Sequence, residues 1–595
     1  MYIALVQNNP KVGALSSNAE KMLQVIEELS YEAYPPDLVV FPAYAMSGMP
    51  LDGLAFSAAF NAECLDVARD FISQAKLPCL FGSVVPLELA WRGHVAEADI
   101  IYCQSGLGGT LGFSEIEGPR FSRRFVQRSH YMEVKINDAH VAIFLDSFPD
   151  YEEDFTDCDL LIVMMAKEYV GADGMLGSSD ILSDLRSIAS DSAAWMVVCN
   201  LVGGQDDVVF DGGSLIIDPT GTVVEAAQVF ETGIIKANLT FSSAPARSQR
   251  LAVRSEAPSE ATSEAKAQDK ASKPLLPYEA DWRALGLATR DYAVKNGFSD
   301  VVIGLSGGID SALTAVLAVD AFGNDYVHGV LLPSEYTSEE STNDAIELGQ
   351  SLGIDLLTMP ITDAIQAVLN QSMRTIGHGG SETAQQNMQA RMRMLYLMHL
   401  SNTFGWMLLN TSNKSEGATG FSTLYGDTAG AYAPFGNVYK TDIYGMANWR
   451  NSRQAVIPQA ILEKAPTAEL YAGQLDTDSL PPYEVLDRIL RLHIEDRMGL
   501  DQILDIVANT PGGDPIEEEL VADVLKRVAR AEFKRRVEPI APNIGSMDMN
   551  NRRSWPVTNG FVDRNRNIKS SFQISDLINT LRDWQRPEDW GYLAN

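Results

Sequence analysis

The sequence predicts two α/β domains joined by a polar linker. Three observations carry this expectation. Short apolar runs of strand length alternate with longer helix-like runs in both halves. A compositional break at residues 246–275 separates the halves. In the second half an apolar, β-branched run at 301–305 leads into a glycine pair and then a helix-like segment. A chain of 595 residues is too long for one hydrophobic core.

In the first half, strand-like runs at 38–41, 141–145, 160–165 and 195–199 alternate with helix-like runs at 17–34, 61–74 and 179–190. Residues 247–273 then contain the string SEAPSEATSEAKAQDKASK, almost without large apolar residues. Such a segment cannot bury enough surface to offset its ordering entropy, so it reads as an exposed linker. The domains are therefore expected at 1–245 and 276–595, with 246–275 between them. The second domain opens with a helix at 279–295, closed by Gly297, and continues with a strand at 301. A helix at 312–322, a strand at 327–332, a helix at 338–352 and a short strand at 354–359 follow. Strands apolar on both faces imply a parallel sheet covered by helices, with ligands bound beyond the strands' C-terminal ends.

Composition narrows the class. The hydrophobic share of 46% and charged share of 21% are those of a soluble globular protein. A net charge of −33 argues against nucleic acid and anionic membranes as partners. No apolar run is long enough to cross a bilayer and no targeting signal is evident, which implies a cytoplasmic protein. The five cysteines (Cys64, Cys79, Cys103, Cys158 and Cys199) lack close spacing and read as reduced core thiols. The seven histidines form no ligand cluster, so a metal, if used, is expected to be magnesium on oxygen ligands.

The chemistry-bearing loop is Gly304-Leu305-Ser306-Gly307-Gly308-Ile309-Asp310-Ser311. Its glycines let backbone N–H groups approach a phosphate, and the helix that follows adds partial positive charge at its N-terminus. Ser306 and Ser311 can add hydrogen bonds, and Asp310 can hold a divalent cation brought by phosphates. There is no Gly-Lys-Ser/Thr, so this is not a Walker A loop. The string resembles the SGGxDS loop of ATP pyrophosphatases, which split ATP between its α- and β-phosphates.

Further strings extend that likeness: VHGVLLPSEYTSEESTNDA (327–345), QNMQARMRMLYLMHLSNTFGW (386–406), NTSNKSEGATGFSTLYGDTAG (410–430) and APTAELYAGQLDTDSLPPYEVLD (465–487). Together they resemble NAD synthetase. The resemblance implies a Rossmann-like domain that adenylates the carboxylate of nicotinic acid adenine dinucleotide (deamido-NAD) with ATP and Mg2+. Ammonia then displaces AMP to give NAD. By the family pattern Asp310 and Lys440 are catalytic, and the loop residues, Thr411, Lys440 and Thr467 bind ATP. Asn387, Arg391, Glu416 and Lys534 fall at deamido-NAD positions, and Asp310, Glu416 and Thr467 at metal positions. Arg391, Arg393 and Asp427 also have ordinary readings, as solvated helix residues and a turn cap. The chain departs from the shorter ammonia-only members at Leu424 and Ala431, where they carry a lysine and an acid, so those two contacts are not carried over. The family also implies a homo-oligomer, a dimer or larger.

Residues 1–245 resemble the nitrilase superfamily through IALVQNNPKVGALSSNAEKM (3–22), DLVVFPAYAMSGMPLDGL (37–54) and NLVGGQDDVVFDGGSLIIDPTG (200–221). This implies an αββα sandwich that hydrolyses glutamine with a glutamate base, a lysine and a cysteine nucleophile. Ala43 stands where the base is expected and Phe144 where the nucleophile is expected. No lysine lies between Lys76 and Lys135. The expectation is a degenerate glutaminase beside a working synthetase that takes free ammonia. The alternatives are a glutamine-dependent enzyme with a non-standard amidase site, another adenylating amidotransferase, or a non-catalytic assembly protein.

Overall fold

The computed structural model describes residues 1–89, 93–103, 131–149, 155–241, 269–271, 273–509, 516–547 and 555–557. Strands β1 (Tyr2–Gln7), β2 (Leu38–Val40), β3 (Cys79–Leu89) and β4 (Gly93–Cys103) are interleaved with helices α1 (Leu15–Ser30) and α2 (Ala58–Gln74). β5 (Tyr131–Ile136), β6 (Ala139–Leu145), β7 (Leu160–Met165), α3 (Ser179–Asp191) and β8 (Trp195–Asn200) follow. The half closes with β9 (Val202–Gln205), β10 (Val208–Asp211), β11 (Leu215–Ile217), β12 (Val223–Ala226) and β13 (Gly233–Asn238).

The two main sheets are ordered β13-β1-β2-β3-β4 and β12-β11-β8-β7-β6-β5, and β9 and β10 pair as a separate two-stranded sheet. Alternation along each strand assigns the layers. Val6, Phe41 and Phe81 pack with Met22 of α1 and Phe71 of α2. Leu5, Val40 and Leu80 face Val141, Ile143 and Leu145 between the sheets. Ala142, Phe144 and Val163 pack on Leu185 and Ile188 of α3. This is the expected αββα sandwich, but its sheets are not wholly parallel. β1–β2–β3 and β6–β7–β8 pair in parallel, whereas β13, β4, β5, β11 and β12 join antiparallel at the edges. The short links between paired neighbours such as β5 and β6 leave no room for a crossover helix.

Part of the expected linker is exposed, yet it also bonds to the first domain. The Lys270 N–H donates to Val223 O at 2.9 Å, and Arg186 pairs with Asp269 at 2.8 Å. Residues 246–268 of that segment lie outside the described ones.

The second half runs α4 (Pro277–Lys295), β14 (Val301–Gly304), α5 (Ile309–Phe322), β15 (Val327–Leu331), α6 (Glu339–Leu352), β16 (Asp355–Thr358), α7 (Thr362–Ile376), α8 (Glu382–Phe404) and β17 (Met407–Leu408). Its sheet, β16-β15-β14-β17, is parallel throughout, as expected. α5 buries Leu313, Val316 and Leu317, each worth about 1.5–3 kcal/mol. It begins at Ile309, three residues before the expected Ala312, so Asp310 and Ser311 stand in its first turn. After α9 (Lys414–Thr419) and α10 (Lys440–Arg453), helices Tyr483–Ile494, Leu500–Asn509 and Glu518–Arg530 form their own apolar cluster.

α4 carries the contact between the halves. Asp291 accepts from Asn9 Nδ2 (2.6 Å) and the Gly204 N–H (2.7 Å), Lys295 donates to Asn9 Oδ1 and Gly204 O (both 2.7 Å), and Tyr169 donates to Asp281 (2.7 Å). Among the described residues no helix is long and apolar enough to cross a membrane.

Candidate functional site

The glycine loop sits at the C-terminal end of β14, where the sheet opens. Gly307 has φ +81°, and a Cβ there would stand 2.2 Å from Ser341 O, so the loop backbone lies directly on α6. The loop's hydroxyls hold it together internally. Ser311 Oγ donates to Gly308 O (3.1 Å) and accepts the Ser306 N–H (3.3 Å), while Ser306 Oγ accepts the Gly308 N–H (3.2 Å). The two serines therefore shape the loop, and both line the cleft.

Beyond the loop lies a cleft of about 310 Å³. Its walls bring together Gly304 to Ser311, Thr411, Glu416, Lys440 and Thr467, residues spread over more than 160 positions of sequence. Lys440 is buried at the start of α10. Its ammonium bonds Asp310 Oδ2 at 2.5 Å and Glu416 Oε1 at 3.1 Å. Asp310 Oδ1 accepts from Asn413 (3.0 Å). Tyr483 OH donates to Asp476 (2.9 Å) and approaches Glu416 (3.3 Å).

The electrostatics follow from burial. Desolvation would lower the Lys440 pKa, but the Asp310 and Glu416 carboxylates overcome it and hold the ammonium well above its ordinary value. Desolvation pushes Glu416 up against the pull of Lys440, with Asp310 and Asp476 adding like charge. The floor thus carries one fixed cation between carboxylates short of positive charge. Among the described residues no group of three or more His, Cys, Asp or Glu is arranged to hold a metal. Asp310 and Glu416 fit an ion such as Mg2+, which takes one or two carboxylates and completes its shell with waters and phosphate oxygens.

Asn387, Arg391 and Lys534 do not line this cleft; all three side chains converge instead on the loop 420–424. Thr423 Oγ1 donates to Asn387 Oδ1 (2.8 Å), Arg391 Nε donates to Leu424 O (3.0 Å), and Lys534 Nζ donates to Gly420 O (2.7 Å) and Ser422 O (2.6 Å). Glu416 falls with the nucleotide-side group rather than with these three.

Sequence reading underrated Arg393. Its Nε donates to Leu332 O (3.1 Å), and it lines the cleft half-buried rather than standing in solvent. Glu469, also on the wall, accepts from Ser338 Oγ (2.9 Å) and Ser341 Oγ (2.8 Å). It lies in the quoted string at 465–487, which was the available signal. Asp427 does cap its turn, accepting the Thr423 N–H at 2.6 Å, yet it also faces the cleft, and burial pushes it up to about 6.

In the first half, Ala43 and Phe144, at the positions expected for base and nucleophile, do not meet. Ala43 is buried between the sheets, where a Cβ on Gly82 would stand 2.9 Å from Ala43 Cα and 3.1 Å from Leu145 Cδ1. Phe144 is buried on the opposite face of β6, edge-on to Phe155 (5.5 Å) and 5.2 Å from Tyr131. Leu145, not Phe144, looks toward Ala43, because successive residues of a strand point to opposite faces. Of the stretch expected to hold a lysine, roughly Ile101 to Arg124, all but the first three residues lie outside the described ones. Cys64, Cys79, Cys158 and Cys199 are buried. Burial pushes the Cys64 thiol up to about 12 and Cys199 higher, which suits core packing rather than attack as a thiolate.

Comparison with known proteins agrees with this two-part plan. The NAD synthase family model matches residues 282–538, and the carbon-nitrogen hydrolase model matches 160–247. A glutamine-dependent NAD(+) synthetase of Thermotoga maritima is 34% identical over 95% of this chain and 99% of its own length. That of Aquifex aeolicus is 34% identical over 94% and 100%. The solved glutamine-dependent NAD+ synthetase of Acinetobacter baumannii in complex with ADP superposes with TM-score 0.64 at 27% identity, covering 95% of this chain and 99% of that one. The Cytophaga hutchinsonii enzyme superposes with TM-score 0.71 at 18% identity over 94% and 97%, a likeness of fold.

Proposed function

The chain belongs to the family of glutamine-dependent NAD(+) synthetases, and from that premise we propose that it amidates deamido-NAD to NAD with free ammonia as nitrogen donor. The observation that carries the amidation is the Lys440 ammonium held between Asp310 and Glu416 on the floor of the cleft, against the glycine loop.

A carboxylate is a poor acceptor for ammonia until its oxygen becomes a good leaving group, and adenylation supplies AMP for that purpose. The substrate carboxylate and the α-phosphate must first meet, although both are anions. The loop's N–H groups and the N-terminus of α5 supply fixed positive ends for the phosphates. Lys440, kept protonated by its two carboxylates, offsets negative charge as the α–β bond breaks. Asp310, Glu416 and Thr467 would hold a bound Mg2+, which supplies Lewis-acid stabilisation of the phosphates. Asn387, Arg391 and Lys534 order the loop 420–424, on which we place the dinucleotide contacts. Thr411 lines the ATP side.

The donor assignment rests on Ala43 and Leu145, which meet between the sheets, and on Phe144 at the expected nucleophile position; none of the three can act as base or nucleophile. Residues 1–245 then serve as a scaffold docked through α4. An NAD-formation assay with ammonium chloride or ammonia-free glutamine as sole donor tests this reading, and efficient turnover with glutamine would sink it. Glutamine use through a non-standard site is the second reading, favoured by the named activity of the full-length relatives. Pyrophosphate release with deamido-NAD but not with aspartate or xanthylate excludes another amidotransferase. We further propose a homo-oligomer, supported by Met373, Ile376, Leu395 and Phe404 standing exposed on α7 and α8. Light scattering that returns the monomer mass would refute it.

A further inference from the structure

Behind the nucleotide cleft lies a second cavity of about 10 Å³. That is room for one molecule the size of water. Asn410 and Ser412 line both spaces, so the small cavity adjoins the large one. Asn437, Pro539 and Ala541 form its other side.

Two lining residues carry ionisable side chains, Lys414 and Glu538. Lys414 commits its ammonium to Glu495 and Met547 O, both at 2.5 Å. Glu538 is different. Its carboxylate lies against α9, where a Cβ on Gly417 would stand 3.2 Å from Oε2. The basic side chains beside it are engaged elsewhere, Arg535 with Glu532 (2.7 Å) and Lys534 with the carbonyls of Gly420 and Ser422. Burial pushes Glu538 up to about 7, the mark of a carboxylate short of a cation.

The cavity also lies toward the first domain. The segment leaving Glu538 pairs at Ile540 with Tyr432, whose hydroxyl donates to Asp206 O (3.1 Å), and the Asn543 N–H donates to Asp207 O (2.8 Å). Nitrogen arriving from bulk solvent or from the first domain could therefore pause here.

We propose that this cavity is a waiting site for ammonium, held by the Glu538 carboxylate next to the cleft in which the adenylate forms. Ammonium matches water in size, offers only donors, and carries the charge that can pair with the Glu538 carboxylate, whose basic neighbours are engaged elsewhere. The proposal rests on the amidation reading, and the two are separable. Adenylation needs no ammonia, so deamido-NAD-dependent exchange between ATP and pyrophosphate, measured without ammonium, reports that reading alone.

The test is Glu538→Gln, which keeps shape and removes charge. The KM for ammonium should rise about tenfold, the effect of a lost charged contact of about 1.4 kcal/mol. The KM values for ATP and deamido-NAD, kcat at saturating ammonium, and the exchange rate should stay within about twofold, well under that effect. Gly417→Ala keeps the charge but crowds the carboxylate, and should raise the ammonium KM in the same selective way. It guards against a folding defect in the first variant. An unchanged ammonium KM in both variants would mean the cavity holds only water and would overturn the proposal. A parallel fall in exchange would assign Glu538 to adenylation and overturn it equally. Absence of exchange in the parent protein would remove the amidation reading itself.

Discussion

The two halves of this molecule treat buried charge in opposite ways. In the cleft of the second half, Asp310, Glu416, Lys440 and Asp476 crowd a single space; burial pushes the Glu416 and Asp476 carboxyls up, and the flanking carboxylates hold Lys440 up against its own burial. Between the sheets of the first half, the space around Ala43 is filled by Tyr44, Leu145 and Cys199. In that half several buried polar groups satisfy one another. Gln7 Oε1 accepts from the Ser214 N–H and hydroxyl (both 2.9 Å), and its amide donates to Gln228 O (2.7 Å) and Glu231 O (2.6 Å). Asn200 donates to Asp211 (3.2 Å) and Gly212 O (3.0 Å). Such a network ties β1 of one sheet to the elements around β11 of the other, which is structural work. Groups left in mutual conflict around an open cleft mark chemistry.

Three experiments break or sharpen that contrast. The largest effect is expected for Asp310→Asn, which removes a carboxylate from Lys440 and from the metal position. NAD formation should fall by about 10³-fold, in the range of other lost electrostatic stabilisers, with the thermal midpoint little changed. Retention of activity would show the charge cluster to be structural, like the one at Gln7.

Next, Ala43→Glu places a carboxylate among the apolar side chains between the sheets. Stability should drop by about 3 kcal/mol in urea denaturation, and glutamine hydrolysis should not appear. A neutral effect on stability, or a gain of glutaminase activity, would mean the inter-sheet space is still a site.

The smallest effect is a pH dependence. Burial pushes Asp211 from the ordinary aspartate value up to about 6. The folded state therefore binds its proton more tightly than the unfolded one. Its contribution is fully present below the unfolded pKa near 3.8 and is lost as pH rises through about 6. Between pH 4 and 6 the parent protein should lose about 2 kcal/mol relative to Asp211→Asn. A flat difference between the two would show that Asp211 is ionised and compensated.

Much of this was legible in the residues themselves. The strand, glycine pair and carboxylate of 301–310 specify a parallel sheet end and an anion-binding loop, because each feature depends on local backbone geometry. The period-2 alternation of Val141, Ile143 and Leu145 against Ala142 and Phe144 was also readable, and it already placed Phe144 on the far face of its strand from Leu145. Which face meets Ala43 was decided only when the second sheet stacked on the first. Asn387, Arg391 and Lys534 were identifiable one by one, but their meeting at residues 420–424 joins segments more than 30 and more than 100 positions apart. Arg393 reads as a solvated helix residue until Leu332 O is brought against it. Glu538 shows nothing in sequence, since its significance is a cavity the size of one water and basic neighbours committed to other partners. Local pattern determines the loop, the sheet and the residue types. Burial and the company each charge keeps depend on contacts between distant segments, and those the tertiary structure alone decided.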